Sequence, residues 1–160
     1  TWADIREGWP VEEIALYGPG TASGTFDYFT EAIVGETGAI RSDYSPSEDD
    51  DVLVQGIAGD KNALGFFGLA YYEANKDKLK LVAVDGVAPN METVKAGTYK
   101  PLSRPLFIYV SKESGVKPEV NSFLKFYLKN AGSVAQTVGY VPLPDADYQN
   151  SIKKLEAFLK

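Results

Sequence analysis

Apolar residues along the chain switch between short runs typical of strands and wider stripes typical of helices. Residues 13–17 carry Ile14 and Leu16 on one face, which predicts a short strand ended by the glycine and proline residues that follow. Residues 24–34 instead place Phe26, Phe29 and Ile33 along one helical stripe. The same patterns predict strands over 64–67 and 79–84, and helices over 48–58, 70–75 and, as one turn, 92–95. Alternating strands and helices predict an α/β fold whose sheet is covered by helices on both faces.

The texture of the sequence changes after Asp85. Residues 86–101 are rich in loop-forming residues, and the apolar run from Pro105 to Val110 is typical of a strand buried on both faces. Helices are predicted over 118–129, 133–138 and 146–159. A boundary between two lobes is therefore predicted near Thr98–Arg104.

The composition excludes several classes of chemistry. The 160 residues include no Cys and no His, so they cannot form a disulfide, a cysteine-ligated zinc site, a thiol nucleophile or a Ser-His-Asp triad. The formal net charge is −6 and the chain lacks basic runs, which makes it a poor binder of nucleic acid or of anionic membranes. No apolar stretch approaches the roughly 18 residues that a membrane span needs. No metal and no cofactor are predicted.

The most informative local feature is the segment Gly18-Pro-Gly-Thr-Ala-Ser-Gly-Thr25, between the first predicted strand and the first long helix. Amides at the start of a helix have no partner within the helix, and the helix dipole adds partial positive charge there. Gly24 lets a ligand approach the backbone, and the hydroxyls of Ser23 and Thr25 can point to the same place. Together they form a candidate oxyanion cradle. A helix N-cap within a glycine-rich turn explains the same residues without a ligand.

Two charged features follow the cradle. Arg41 lies in a predicted loop, where its guanidinium could hold an oxyanion with paired donors or could pair with the nearby acids Asp43 or Glu48. The acidic run from Glu48 to Asp51 is interpreted as a solvated helix start, capped by Ser47 with Asp50 three residues on. Its spacing does not match a calcium loop.

Several segments, in the same order along nearly the whole chain, resemble the periplasmic phosphate-binding proteins of ABC-type phosphate uptake systems. They are Trp2-Ala-Asp-Ile5, Trp9-Pro10, Glu13–Phe29, Arg41-Ser-Asp-Tyr44, Asn62–Gly68, Pro101–Tyr109 and Gly139–Asp145. The resemblance implies an α/β, periplasmic-binding-protein-like lobe with a mixed sheet flanked by helices. It also implies a non-enzymatic protein that binds inorganic phosphate outside the cytoplasm and delivers it to a membrane permease.

The family's Ser-Gly-Thr helix start maps onto Ser23, Gly24 and Thr25. Many members place an Arg four residues before that Ser, where this chain has Pro19. We expect Arg41 to take over its role from the following loop.

The resemblance also predicts how the chain is divided. Residues 1–98 correspond to the family's second lobe, 99–104 to a crossing between lobes, and 105–160 to a segment that returns to the first lobe. The chain opens at Thr1 without an initiator Met, so we expect a piece of a longer protein that carries half of a binding cleft. The missing first-lobe segment is then a partner, and a removed N-terminus could have held a signal or a membrane anchor.

Three alternatives remain open from the sequence. The chain could bind another tetrahedral oxyanion, such as sulfate, molybdate or arsenate. It could scavenge or sense phosphate outside transport. An acyl or phosphoryl transferase with Ser23 or Thr25 as nucleophile is disfavoured, because no base is evident beside either hydroxyl.

Overall fold

The computed structural model describes all 160 residues, which form two compact units, Thr1–Ala88 and Pro89–Lys160. The first unit contains α1 Trp2–Ile5, β1 Ala15–Pro19, α2 Gly24–Val34, β2 Ser45–Ser47, α3 Asp50–Gly59, β3 Ala63–Gly65 and α4 Leu69–Ala74. The second contains α5 Met91–Lys95, α6 Lys112–Gly115, α7 Pro118–Thr137 and α8 Asp145–Phe158. None of the helices combines the length and the apolar character needed to cross a membrane. The boundary between the units follows Ala88, about ten residues before the predicted crossing at 99–104. The assignment of lobes remains a prediction.

The first unit is built on a three-stranded sheet in the order β2-β1-β3. Tyr17 pairs with Ser45 on one side, and Ala15 pairs with Ala63 on the other, both in parallel. Parallel neighbours need a crossover, which α2 and α3 provide. The predicted α/β lobe with flanking helices is therefore confirmed, although its strands are all parallel and not mixed.

Helix α3 packs across β1 and β3 and supplies the centre of this core. Leu53 is 1% exposed and Val54 is also buried. The helix lies so close to the sheet that a Cβ on Gly56 would overlap the ring of Tyr17. Close packing of this kind positions the loops at the carboxyl ends of the strands, where ligands of open α/β sheets bind.

Two predicted strands are absent. Leu79–Val84 forms only an isolated bridge between Val84 and Val87, around a tight turn in which Asp85 and Gly86 have positive φ. The apolar run Pro105–Val110 has no strand partner within its own unit, and Tyr109 is 91% exposed. Apolar composition alone does not make a strand, because the backbone needs a neighbour for its hydrogen bonds.

The second unit departs from the prediction in its main helix as well. Residues 118–129 and 133–138 were predicted as separate helices, but α7 continues from Pro118 to Thr137. A Cβ on Gly132 would lie 3.1 Å from the Tyr148 ring of α8, so this glycine allows the two helices to pack closely. An interior glycine lowers helix propensity, but helices in proteins are stabilised mainly by packing of this kind.

Candidate functional site: a helix start at the carboxyl edge of the sheet

The glycine-rich turn after β1 leads directly into α2, as predicted. Ser23 has extended backbone angles, and its hydroxyl accepts a hydrogen bond from the Thr25 amide at 3.2 Å. The Asp27 amide donates to the Ser23 carbonyl. Ser23 is therefore the N-cap of α2, and the simpler interpretation of this residue is correct as far as it goes.

The same turn leaves donors free for a ligand. The amides of Gly24 and Phe26 donate no hydrogen bond within the chain, as is usual in the first turn of a helix. The Ser23 hydroxyl, which accepts from Thr25, still has its own proton to donate. Gly24 is exposed, and Ser23 and Thr25 are half-buried, so the three residues are brought together with open access.

The loop after β2 lies beside this turn because β1 and β2 are parallel neighbours. The Gly20 amide donates to the Ser47 carbonyl at 3.1 Å. The next residue, Glu48, accepts a hydrogen bond from the Ala22 amide on Oε1 at 3.2 Å. A Cβ on Gly20 would overlap the Glu48 carboxylate, so glycine leaves room for the carboxylate in this position. Sequence reasoning missed the contact, since it depends on the pairing of β1 with β2.

The rest of the acidic run starts α3, although the predicted cap is wrong. Asp49 is the N-cap and accepts from the Asp51 amide on Oδ1 at 2.9 Å. Ser47 instead accepts from the Asp49 amide, in a short turn that precedes the helix. The interpretation of the run as a helix start is confirmed, because Asp50 and Asp51 occupy its first turn.

Asp50 is the one member of the run that is partly withdrawn from water. Burial, followed by the negative charges of Asp49 and Asp51, raises the pKa of its carboxyl, and a backbone hydrogen bond at Gly68 opposes the shift. The carboxylates of the chain form no group arranged to hold a metal ion. The run supplies the N-cap and the first turn of α3.

Arg41 is paired within its own loop. Its Nε and NH2 groups donate to the two carboxylate oxygens of Asp43 at 2.8 and 2.5 Å, and this pairing holds the pKa of Asp43 below its usual range. The side chains are 72% and 59% exposed. No hydrogen bond or ion pair joins Arg41 to Ser23, Gly24 or Thr25.

The Arg41 loop is nevertheless attached to the cradle. Tyr44 donates its hydroxyl hydrogen to the Pro19 carbonyl at 3.4 Å and stacks on Phe26 with 6.4 Å between ring centres. Phe26 is itself buried in the first turn of α2. The loop that carries Arg41 therefore follows the position of the helix start, while the guanidinium remains in solvent.

The domain model described as "PBP superfamily domain" matches residues 1–131. The chain belongs to the PBP superfamily. The predicted resemblance is thus confirmed at the level of family and fold, over both the cradle and the loop of Arg41.

Three proteins illustrate what this PBP superfamily chain is similar to. Protein SphX of Synechococcus elongatus is 45% identical, over 98% of this chain and 48% of its own length. The phosphate-binding protein PstS of Staphylococcus haemolyticus is 36% identical, over 100% and 51%. A crystal structure from Clostridium perfringens is 27% identical with a TM-score of 0.72, over 90% and 57% of the two chains. That protein is assigned as a phosphate ABC transporter substrate-binding protein and was solved with bound phosphate. The chain spans about half the length of the curated relatives it matches.

Proposed function

We propose that this chain binds inorganic phosphate at the start of α2 and provides one wall of the binding cleft of an extracytoplasmic solute-binding protein. The observation that carries the proposal is the exposed helix start with the free Gly24 amide and the Ser23 hydroxyl. Relatives named or solved as phosphate-binding proteins support phosphate over sulfate, molybdate or arsenate as the ligand.

The chemistry of the helix start suits a small anion. Amide and hydroxyl dipoles can surround an oxyanion without adding net positive charge, so a chain with a net charge of −6 can still bind one. Ser23, Gly24 and Thr25 offer amide and hydroxyl donors at the start of α2. They contain no general base, in accord with binding and not turnover.

Arg41 is proposed to supply the positive charge. Its pair with Asp43 is exposed, and an exposed ion pair contributes little to stability because water screens the charges. The guanidinium can therefore leave Asp43 at little expense and make a bidentate contact with phosphate. The hydrogen bond from Tyr44 to Pro19 ties the Arg41 loop to the end of β1, which leads into the helix start.

The division into lobes belongs to the same proposal. Residues 1–98 form the second lobe, 99–104 cross between lobes, and 105–160 return to the first. The other wall of the cleft comes from protein outside these residues, and a membrane permease receives the phosphate. The exposed run at 106–109 supports the assignment of 105–160.

The test is a phosphate titration of the 160-residue chain, followed by the backbone amide resonances. We expect shifts at Ser23, Gly24 and Thr25, with weak affinity because only one wall is present. Gly24→Val should abolish these shifts, because its side chain covers the free amide, whereas Thr37→Ala at the far end of α2 should leave them unchanged. Arg41→Ala should weaken binding. Equal phosphate shifts in Gly24→Val and the parent would overturn the proposed site.

A further inference from the structure

We propose that the Glu48 carboxylate is a built-in anionic placeholder on the glycine-rich turn. An incoming oxyanion must displace this carboxylate or bind against its repulsion. Glu48 thereby lowers and tunes the anion affinity of the helix start. This inference rests on the proposed function, because it concerns the same site.

The placeholder is held by the backbone alone. Glu48 Oε1 accepts from the amide of Ala22, the residue directly before Ser23. The carboxylate also presses against Gly20, where any Cβ would overlap it. Glycine at position 20 therefore leaves room for the Glu48 carboxylate on the turn that precedes the cradle.

The charge of Glu48 is not neutralised by a neighbour. The ion pairs of the chain involve Asp4, Asp43 and Glu73, and none reaches Glu48. An amide of a glycine-rich turn that leads into a helix is a natural place for an anion. Here the protein's own carboxylate accepts a hydrogen bond from such an amide.

An oxyanion at Ser23 and Gly24 therefore meets the negative charge of Glu48, whose carboxylate is hydrogen-bonded to the residue directly before Ser23. Glu48 is exposed, so its side chain can swing into water when the ligand enters. Binding then becomes an exchange of one anion for another at the turn. Because Glu48 is exposed, water screens its charge. For two unit charges about 3–6 Å apart in water, removing the carboxylate should tighten binding about three- to tenfold.

The experiment compares phosphate titrations of the 160-residue chain, Glu48→Gln and Glu36→Gln. Gln keeps an oxygen that can accept from Ala22 but carries no charge. Glu36 lies beyond the other end of α2, so its variant makes the same change in net charge away from the turn. We expect Glu48→Gln to bind inorganic phosphate about three- to tenfold more tightly than the other two proteins. Equal affinities of the two variants would overturn the placeholder while leaving the proposed function standing.

Phosphate shifts at Ser23 and Gly24 in none of the three proteins would overturn both proposals together. A second measurement tests, without a ligand, the hydrogen bond from the Ala22 amide to the Glu48 carboxylate. In Glu48→Ala, hydrogen exchange at the Ala22 amide should become faster, whereas Glu36→Ala should leave it unchanged. Unchanged exchange at Ala22 in Glu48→Ala would also refute the placeholder.

Discussion

Ser23 has two roles that can be separated by substitution. It caps α2 through its hydrogen bond with the Thr25 amide, and it is proposed to donate its hydroxyl hydrogen to phosphate. Ser23→Ala removes both, with an expected loss of about 1 kcal/mol of stability from the cap. Loss of the hydrogen bond to a charged ligand should also weaken phosphate binding by about 1.5–3 kcal/mol, which is roughly a ten- to hundredfold lower affinity.

A charge substitution separates the two roles. Asp and Asn cap a helix about as well as Ser, and a negative charge at this end is favoured by the helix dipole. Ser23→Asp should therefore fold as stably as the parent, as should Ser23→Asn. The Asp carboxylate would lie where phosphate binds, and at about 4 Å two unit charges repel by about 1 kcal/mol in water and about 4 kcal/mol near a protein surface.

The assay pairs thermal denaturation with a phosphate titration of both variants. We expect similar melting temperatures for Ser23→Asp and Ser23→Asn, with phosphate binding at least about fivefold weaker in the Asp variant. If Ser23→Asp binds phosphate as tightly as Ser23→Asn, the anion does not approach this residue and Ser23 is a cap alone.

Two further predictions concern stability. Thr30 is 1% exposed, donates to the Phe26 carbonyl at 2.9 Å and accepts from the Gly38 amide at 2.8 Å. Thr30→Val should cost about 1–3 kcal/mol in urea denaturation, because that amide loses its partner, and an equal loss in Thr30→Ser would contradict this. Burial and neighbouring carboxylates raise the pKa of Asp50 above 3.8. Between 3.8 and the raised value Asp50 is protonated more in the folded than in the unfolded state, so its contribution to stability should rise as the pH falls through this range. Asp50→Asn should reduce that rise and stabilise the chain at pH 7 relative to Asp51→Asn, and a destabilised Asp50→Asn would contradict it.

Local patterns predict the helix that carries the candidate site, because α2 begins and ends at the predicted Gly24 and Val34. Its predicted stripe is only partly buried: Phe26 is 2% exposed, whereas Ile33 is 51% exposed. Hydrogen bonds between near neighbours decide where such a helix begins and ends. The same kind of signal misplaced the cap of α3, because Ser47 and Asp49 are both good caps and only the backbone angles choose between them.

The pattern of apolar and polar residues could not predict contacts between residues that are far apart in the sequence. Ala22 and Glu48 are 26 positions apart and meet only because β1 and β2 lie side by side. Arg41 had more than one carboxylate within reach, and the structure pairs it with Asp43. The run Pro105–Val110 has the composition of a buried strand but is left exposed for want of a neighbour in its unit.

The amino-acid sequence alone therefore determined the class of fold, the helix start with its donors, and the exclusion of histidine and cysteine chemistry, since all of these depend on residue types and short spacings. Only the tertiary structure decided which charges surround that helix start. Parallel strand pairing brings Glu48 onto the glycine-rich turn, and Arg41 forms an exposed ion pair with Asp43 in the loop before β2. Electrostatic interactions depend on distances in space, and a linear sequence does not contain those distances.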